Sequence, residues 1–122
     1  MEVKDLTKAE EQLMQLLWKL DKAFVKELIA ELPEPKPAYN TTSTIIRILE
    51  GKGLIGYEAF GRTHRYFPLI SKVDYTRYQA QKLLTDYFEN SIQDMFSFFM
   101  KEQKMNKKEV DELLKIIDHI KD

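Results

Sequence analysis

Apolar residues recur at helical steps through the first third of the chain. Leu13, Leu16, Leu17 and Leu20 stand three and four residues apart, and Met14 and Trp18 widen the stripe. This spacing predicts an amphipathic helix. Thr7 precedes Glu10 by three residues at its head, which suits a capping box. A shorter helix follows over FVKELIAEL, with Val25, Leu28, Ile29 and Leu32 on one face. Pro33, Pro35 and Pro37 end it, since proline removes a backbone donor and turns its predecessor away from helix. A third helix is predicted from near Asn40. There Asn40, Thr41, Thr42 and Ser43 offer N-cap side chains ahead of Ile45, Ile46, Ile48 and Leu49, and Gly51 and Gly53 supply the stop.

The period then changes. Leu54, Ile55, Tyr57 and Ala59 suit a strand, Gly61 marks a turn, and His64 to Leu69 suit a returning strand. Arg62 and Thr63 sit at the tip of this hairpin, and Tyr57 and Tyr66 are expected to pack beneath it. Two strands cannot form a core, so the hairpin must lean on the helices. After Pro68 one long helix is predicted from Ser71, with Asp74 available for a second capping box. It carries Leu84, Tyr87, Phe88, Ile92, Met95, Phe96 and Phe99, and no glycine or proline follows Pro68. A last helix, capped by Asn106 with Glu109, shows Val110, Leu113, Leu114, Ile117 and Ile120 on one face. Three helices and a two-stranded wing make the winged helix-turn-helix plan. The expected fold is mainly α (α+β): a winged-helix DNA-binding domain over residues 1–70 and a helical dimerisation region over 71–122.

Composition narrows the picture. A hydrophobic fraction of 43% can supply a core in a chain of 122 residues. No stretch approaches the roughly 18 apolar residues of a membrane span, and the charged start MEVKDLTKAEE does not resemble a signal peptide. The expectation is a cytoplasmic protein with no membrane partner. With Cys 0, disulfides, thiolate chemistry and cysteine metal sites are excluded. His64 and His119 fall in different elements with no helical pairing, so neither a metal nor another cofactor is expected. There is no phosphate-cradling glycine loop, and the carboxylates lie on charged helix faces, so the chain is not read as an enzyme.

The net charge of −1 does not suit an indiscriminate polyanion binder, yet its distribution is uneven. Between Tyr39 and Leu69, Arg47, Lys52, Arg62 and Arg65 face only Glu50 and Glu58. A local patch is enough to hold phosphates. Asn40, Thr41, Thr42 and Ser43 are short and polar, with Arg47 one turn on. Such a helix start can enter a major groove, where Asn reads adenine and Ser or Thr bonds phosphate or base edges. Taken alone, the same residues could merely cap the helix; the basic wing that follows favours DNA. Arg62, Thr63 and His64 then suit backbone or minor-groove contact. The aromatic and methionine row predicts a two-fold interface built from Tyr75, Tyr78, Leu84, Tyr87, Phe88, Ile92, Met95, Phe96, Phe99, Val110, Leu113, Leu114 and Ile117. Two other readings stay open: a winged-helix module that binds protein, and a regulator that senses a small ligand among Tyr75, Tyr78, Tyr87 and Phe88.

The stretches TKAEEQLMQLLW, VKELIAEL and YNTTSTIIRILEGKGLIGYEAFGRTHRYFPL, followed by NKKEVDELL, resemble the BlaI/MecI/CopY family of penicillinase and methicillin-resistance repressors. The threonine-rich start running into LEGKGLI and the GR-x-x-RYFPL wing carry the likeness, which covers nearly the whole chain. The resemblance implies a bacterial repressor that binds a dyad operator on double-stranded DNA as a homodimer joined by its C-terminal helices. It places Asn40, Thr41, Thr42, Ser43 and Arg47 at the DNA and Arg62 on the wing. In the antibiotic-resistance members a membrane sensor-protease triggers cleavage within the dimerisation region, which implies a regulatory protease as partner. Their cleaved bond is Asn-Phe, and the matching pair here is Phe98-Phe99, which lacks the asparagine. The copper-responsive branch holds metal through C-terminal cysteines, which this chain lacks.

Overall fold

The computed structural model describes residues 5–103 together with 108, 109, 111, 112, 115 and 116. The chain divides into two compact units, residues 1–72 and 73–122. In the first, the order is α1 (Lys8–Leu20), β1 (Ala23–Phe24), α2 (Val25–Glu31), α3 (Tyr39–Gly51), β2 (Ile55–Phe60) and β3 (Thr63–Pro68).

The capping box at the head of α1 is present, with the Glu10 N–H donating to Thr7 Oγ1 and the Thr7 N–H to Glu10 Oε1, both at 3.1 Å. Glu10 also receives Lys52 Nζ at 2.7 and 2.9 Å, and Lys52 donates to the Asp5 carbonyl at 3.2 Å. One buried carboxylate therefore ties the start of α1 to the end of α3. Burial pushes the Glu10 carboxyl up, but the hydrogen bonds from Lys52 and from the Thr7 backbone outweigh it and hold the group below the ordinary carboxylate range.

α3 stops as a Schellman motif. Gly53 takes φ +78°, its N–H donates to the Glu50 carbonyl (2.9 Å), and the Leu54 N–H donates to the Leu49 carbonyl (3.1 Å). Leu49 and Leu54, brought together by this turn, are both fully buried. Gly61, at φ +65°, occupies the first position of the two-residue hairpin loop, where a side chain would be strained. The Leu69 N–H donates to the Leu54 carbonyl at 2.8 Å and closes the base of the hairpin.

The core of this unit comes from every element around it: Leu13, Met14 and Leu17 of α1, Leu28 of α2, Ile46 and Leu49 of α3, Leu54, and Ile55 of β2. Trp18 Nε1 donates to the Ile70 carbonyl at 2.9 Å, so the indole spends its one donor while its ring covers the core edge.

The hairpin is not a two-stranded ribbon. β1 pairs antiparallel with β3 (Ala23 opposite Tyr66, Phe24 opposite Arg65), which makes a three-stranded sheet in the order β1-β3-β2. Two residues are too few to show a period, and the partner strand lies some forty residues away, so β1 left no local signal. Its fully buried Ala23 roots the wing in the head.

In the second unit the expected single long helix is two helices, α4 (Lys72–Phe88) and α5 (Ile92–Gln103). Glu89 (φ 49°) and Asn90 (φ 65°) adopt left-handed backbone between them. Ser91 then restarts the helix by accepting the Asp94 N–H at 3.1 Å on its hydroxyl. Asparagine tolerates the left-handed region, so a helix can break there without glycine or proline. Leu84 and Met95 are buried against each other's surroundings, with Leu83, Phe88, Ile92, Phe96 and Phe99 packed around them. Most of the aromatic row expected at a dimer interface is therefore used within one chain. Tyr75 is also buried, its hydroxyl accepting from Gln79 Nε2 at 2.6 Å, so it is not free for a partner as expected. Tyr87, by contrast, is 76% exposed. Tyr75, Tyr78, Tyr87 and Phe88 range from buried to exposed and do not share one environment. Phe98 and Phe99 fall inside α5. Asn106, Val110, Leu113, Leu114, Ile117 and Ile120 lie outside the described residues. Among the described residues no helix is long and apolar enough to cross a membrane.

Candidate functional site

α3 starts one residue earlier than its polar run. Its N-cap is Ala38, with no side-chain cap bond, and Tyr39 is the first helical residue. Asn40 to Ser43 are thus inside the first turns rather than capping them, which leaves their side chains for other work. The helix face decides which ones. Thr42, Ile46 and Leu49 follow the i, i+4, i+7 stripe that turns inward, and all three are buried. Thr42 is only 1% exposed, and its hydroxyl donates to the Ala38 carbonyl at 3.2 Å. The expectation that Thr42 meets DNA is corrected on this point: it packs and satisfies itself locally. A residue one turn ahead of Ile46 could have been placed inside from the sequence alone.

Asn40, Ser43 and Arg47 lie on the opposite stripe. They line an open groove of about 640 Å³, together with Arg62, Thr63 and His64 from the hairpin tip and the start of β3. Six of the eight residues singled out by the sequence are therefore brought to one place. Thr41 is exposed but does not line the groove. Thr63 spends its hydroxyl on the Phe60 carbonyl at 2.9 Å, fixing the turn.

Several groove residues escaped the sequence reading. Tyr39 stands at the head of α3, 47% exposed, and Lys26 contributes a cation from the first turn of α2. Glu27 lines the groove too, but its carboxylate accepts the Phe24 N–H at 2.8 Å and serves the helix start. Tyr57 was expected beneath the wing. It is 45% exposed instead, and its ring stacks on His64 with centroids 4.2 Å apart and planes at 9°. Tyr66 alone of that pair is buried, and burial, reinforced by Glu50, raises its hydroxyl above the ordinary tyrosine value. Tyr57 sits directly opposite Tyr66 on the same sheet face, so no local pattern separates the exposed ring from the buried one. Lys26 could not be located without tertiary structure, because only packing brings α2 alongside α3.

On the other sheet face, Lys22 Nζ pairs with Glu58 at 2.9 Å and lies 5.9 Å from the centre of the Phe67 ring. The bond from Lys22 lowers the Glu58 carboxyl, and Arg65 across the strands adds to it. This acidic side chain is thus neutralised locally and adds little negative field to the wing.

A family model described as penicillinase repressor matches residues 6–119. The chain belongs to the penicillinase repressor family. Over 120 residues it is 24% identical to the penicillinase repressor of Bacillus licheniformis, spanning 98% of this chain and 94% of that protein. Among solved structures, the DNA-binding domain of the repressor BlaI is similar at 28% identity and TM-score 0.53, covering 61% of this chain and 92% of that one. A CopR repressor structure is 28% identical, with TM-score 0.45, and covers 58% of this chain and all of that one. The likeness to the BlaI domain bears out the winged-helix fold.

Proposed function

We propose that the chain is a transcriptional repressor that binds double-stranded operator DNA as a homodimer, on a pseudopalindromic site. The observation that carries this reading is the shared groove. Asn40, Ser43 and Arg47 on the outward stripe of α3 face it together with Arg62 and His64 of the wing. α3 lies in the major groove, where Asn40 and Ser43 are short enough to approach base edges and Arg47 reaches a guanine edge or a phosphate. Arg62 follows the backbone or the adjacent minor groove. Thr41, exposed beside them, extends the contact along one strand. Family membership and the likeness to the BlaI DNA-binding domain support the same conclusion.

Dimerisation rests on the second unit, where Tyr87, Phe98 and Met100 leave apolar surface exposed. Val110, Leu113, Leu114 and Ile117, spaced at helical steps in the sequence, are further apolar candidates for the same interface. Two heads on one duplex, about 34–36 Å apart, share a single binding event and so bind far more tightly than one.

The test is selection of bound duplexes from a random-sequence pool by the purified protein. An enriched inverted repeat is expected. Arg47→Ala should weaken binding to the selected duplex by about 1–3 kcal/mol without moving the thermal midpoint of the protein. Failure to retain any duplex at low salt rules the reading out.

A further inference from the structure

Tyr57 and His64 form a parallel ring stack on the groove side of the wing, 4.2 Å between centroids. Tyr66 meets the His64 ring edge-on at 6.0 Å and the Tyr57 ring at 6.2 Å. The antiparallel register creates this trio. Tyr57 opposes Tyr66, and His64 lies two residues from Tyr66, so all three side chains share one sheet face. That face lines the groove. The three differ in burial: Tyr66 is buried, His64 half-buried and Tyr57 nearly half exposed.

A stack of this kind has a consequence for the imidazole. Unsupported on an exposed strand, a histidine visits several rotamers, and fixing one on binding costs affinity. Held face-on by Tyr57 and edge-on by Tyr66, His64 keeps one orientation before any ligand arrives. Its ring atoms pack against apolar faces, and its N–H remains to be donated at the ring edge. His64 is two residues beyond Arg62 along the wing, where a duplex lying against α3 presents its backbone. Phosphate oxygens there accept from any N–H donor and carry no sequence information.

We propose that Tyr57 is a positioning residue for DNA binding: it holds the His64 imidazole so that its N–H is donated to a backbone phosphate beside the wing. This rests on the DNA-binding reading above. Anisotropy titrations with the duplex selected from the random pool test it, using Tyr57→Leu, Tyr57→Phe, His64→Ala and the Tyr57→Leu/His64→Ala double variant. Tyr57→Leu and His64→Ala should each weaken binding by roughly 3- to 10-fold, and the double variant by no more than the worse single one, because the two rings act as one unit. Tyr57→Phe keeps the ring and should recover most of the affinity that Tyr57→Leu loses. Thermal midpoints should stay together across the set. Multiplicative losses in the double variant, wild-type affinity in both single variants, or equal losses in Tyr57→Phe and Tyr57→Leu would each overturn the proposal. A fall in thermal midpoint at unchanged affinity of the folded protein would also overturn it, leaving the stack a purely structural contact. Arg47→Ala separates the two readings: if it alone weakens binding, the positioning role fails while DNA recognition stands.

Discussion

The two units of this chain treat their apolar residues differently. In residues 1–72, side chains from three helices and the sheet close over one another, and Met14, Leu17, Leu28, Ile46, Leu49 and Leu54 have no exposed surface. In residues 73–122, Tyr75, Leu84 and Met95 are the buried hydrophobics among the described residues, while Val73, Tyr87, Phe98, Met100 and Ile116 stay exposed. Among the described residues, so small a set of buried side chains recovers little of the entropy spent in ordering α4 and α5. The first unit thus closes a core of its own while leaving Tyr39, Ile48, Tyr57, Phe60 and Leu69 at its surface, and the second copy proposed above would cover the exposed residues of the second unit.

The sharpest way to break this comparison is to separate the units. Residues 1–72 produced alone should unfold in one cooperative urea transition. Residues 73–122 alone, at concentrations where sedimentation reports a monomer, should show no cooperative transition by circular dichroism. A cooperative transition in that monomer would mean its core suffices after all.

Next in size is the tie between Glu10 and Lys52, which should belong to the stability of the first unit only. Glu10→Gln removes the charge and should cost about 2 kcal/mol, since it leaves the partly buried Lys52 ammonium without its carboxylate. The folded Glu10 carboxyl sits below its usual value, so the pair contributes fully above the ordinary carboxylate range. That contribution is lost as pH falls below about 4.5 and through the lowered folded value. Denaturation of wild type and Glu10→Gln from pH 7 to pH 3 should show the two curves converging on the acid side. Curves that remain parallel would remove the pair from the stability of the head.

The smallest effect sharpens the other half of the contrast. Tyr87→Asp places a carboxylate on the exposed face of α4 and should raise the dissociation constant of the proposed dimer by about tenfold or more, with little change in a monomer. Sedimentation showing unchanged association would move the interface away from that face. The more deeply packed Phe96 is a poorer probe, because its ring also belongs to the cluster around Leu84 and Met95.

Much of the head was legible because its signals are local. The Thr7–Glu10 box, the proline-terminated second helix, the glycine stop of the third and the Gly61 turn each depend on residues within a few positions of one another. In the second unit the same habit of reading failed. The break there carries neither glycine nor proline: left-handed Asn90 ends α4 and Ser91 caps α5, a weaker signal than either. Thr42 shows a related conflict: its hydroxyl suits DNA by chemistry, but its phase with Ile46 and Leu49 turns it inward.

From its sequence alone this protein is a winged helix with a polar, arginine-bearing stripe and a basic hairpin tip, because periodicity and turn chemistry act over a few residues. Only the tertiary structure decided that Ala23 and Phe24 join the sheet, that Lys26 and Tyr39 stand beside Arg47, and that Tyr57 turns outward to stack on His64. Those placements depend on packing and pairing between segments far apart in the chain, and no local pattern of residues encodes which distant surface a side chain will meet.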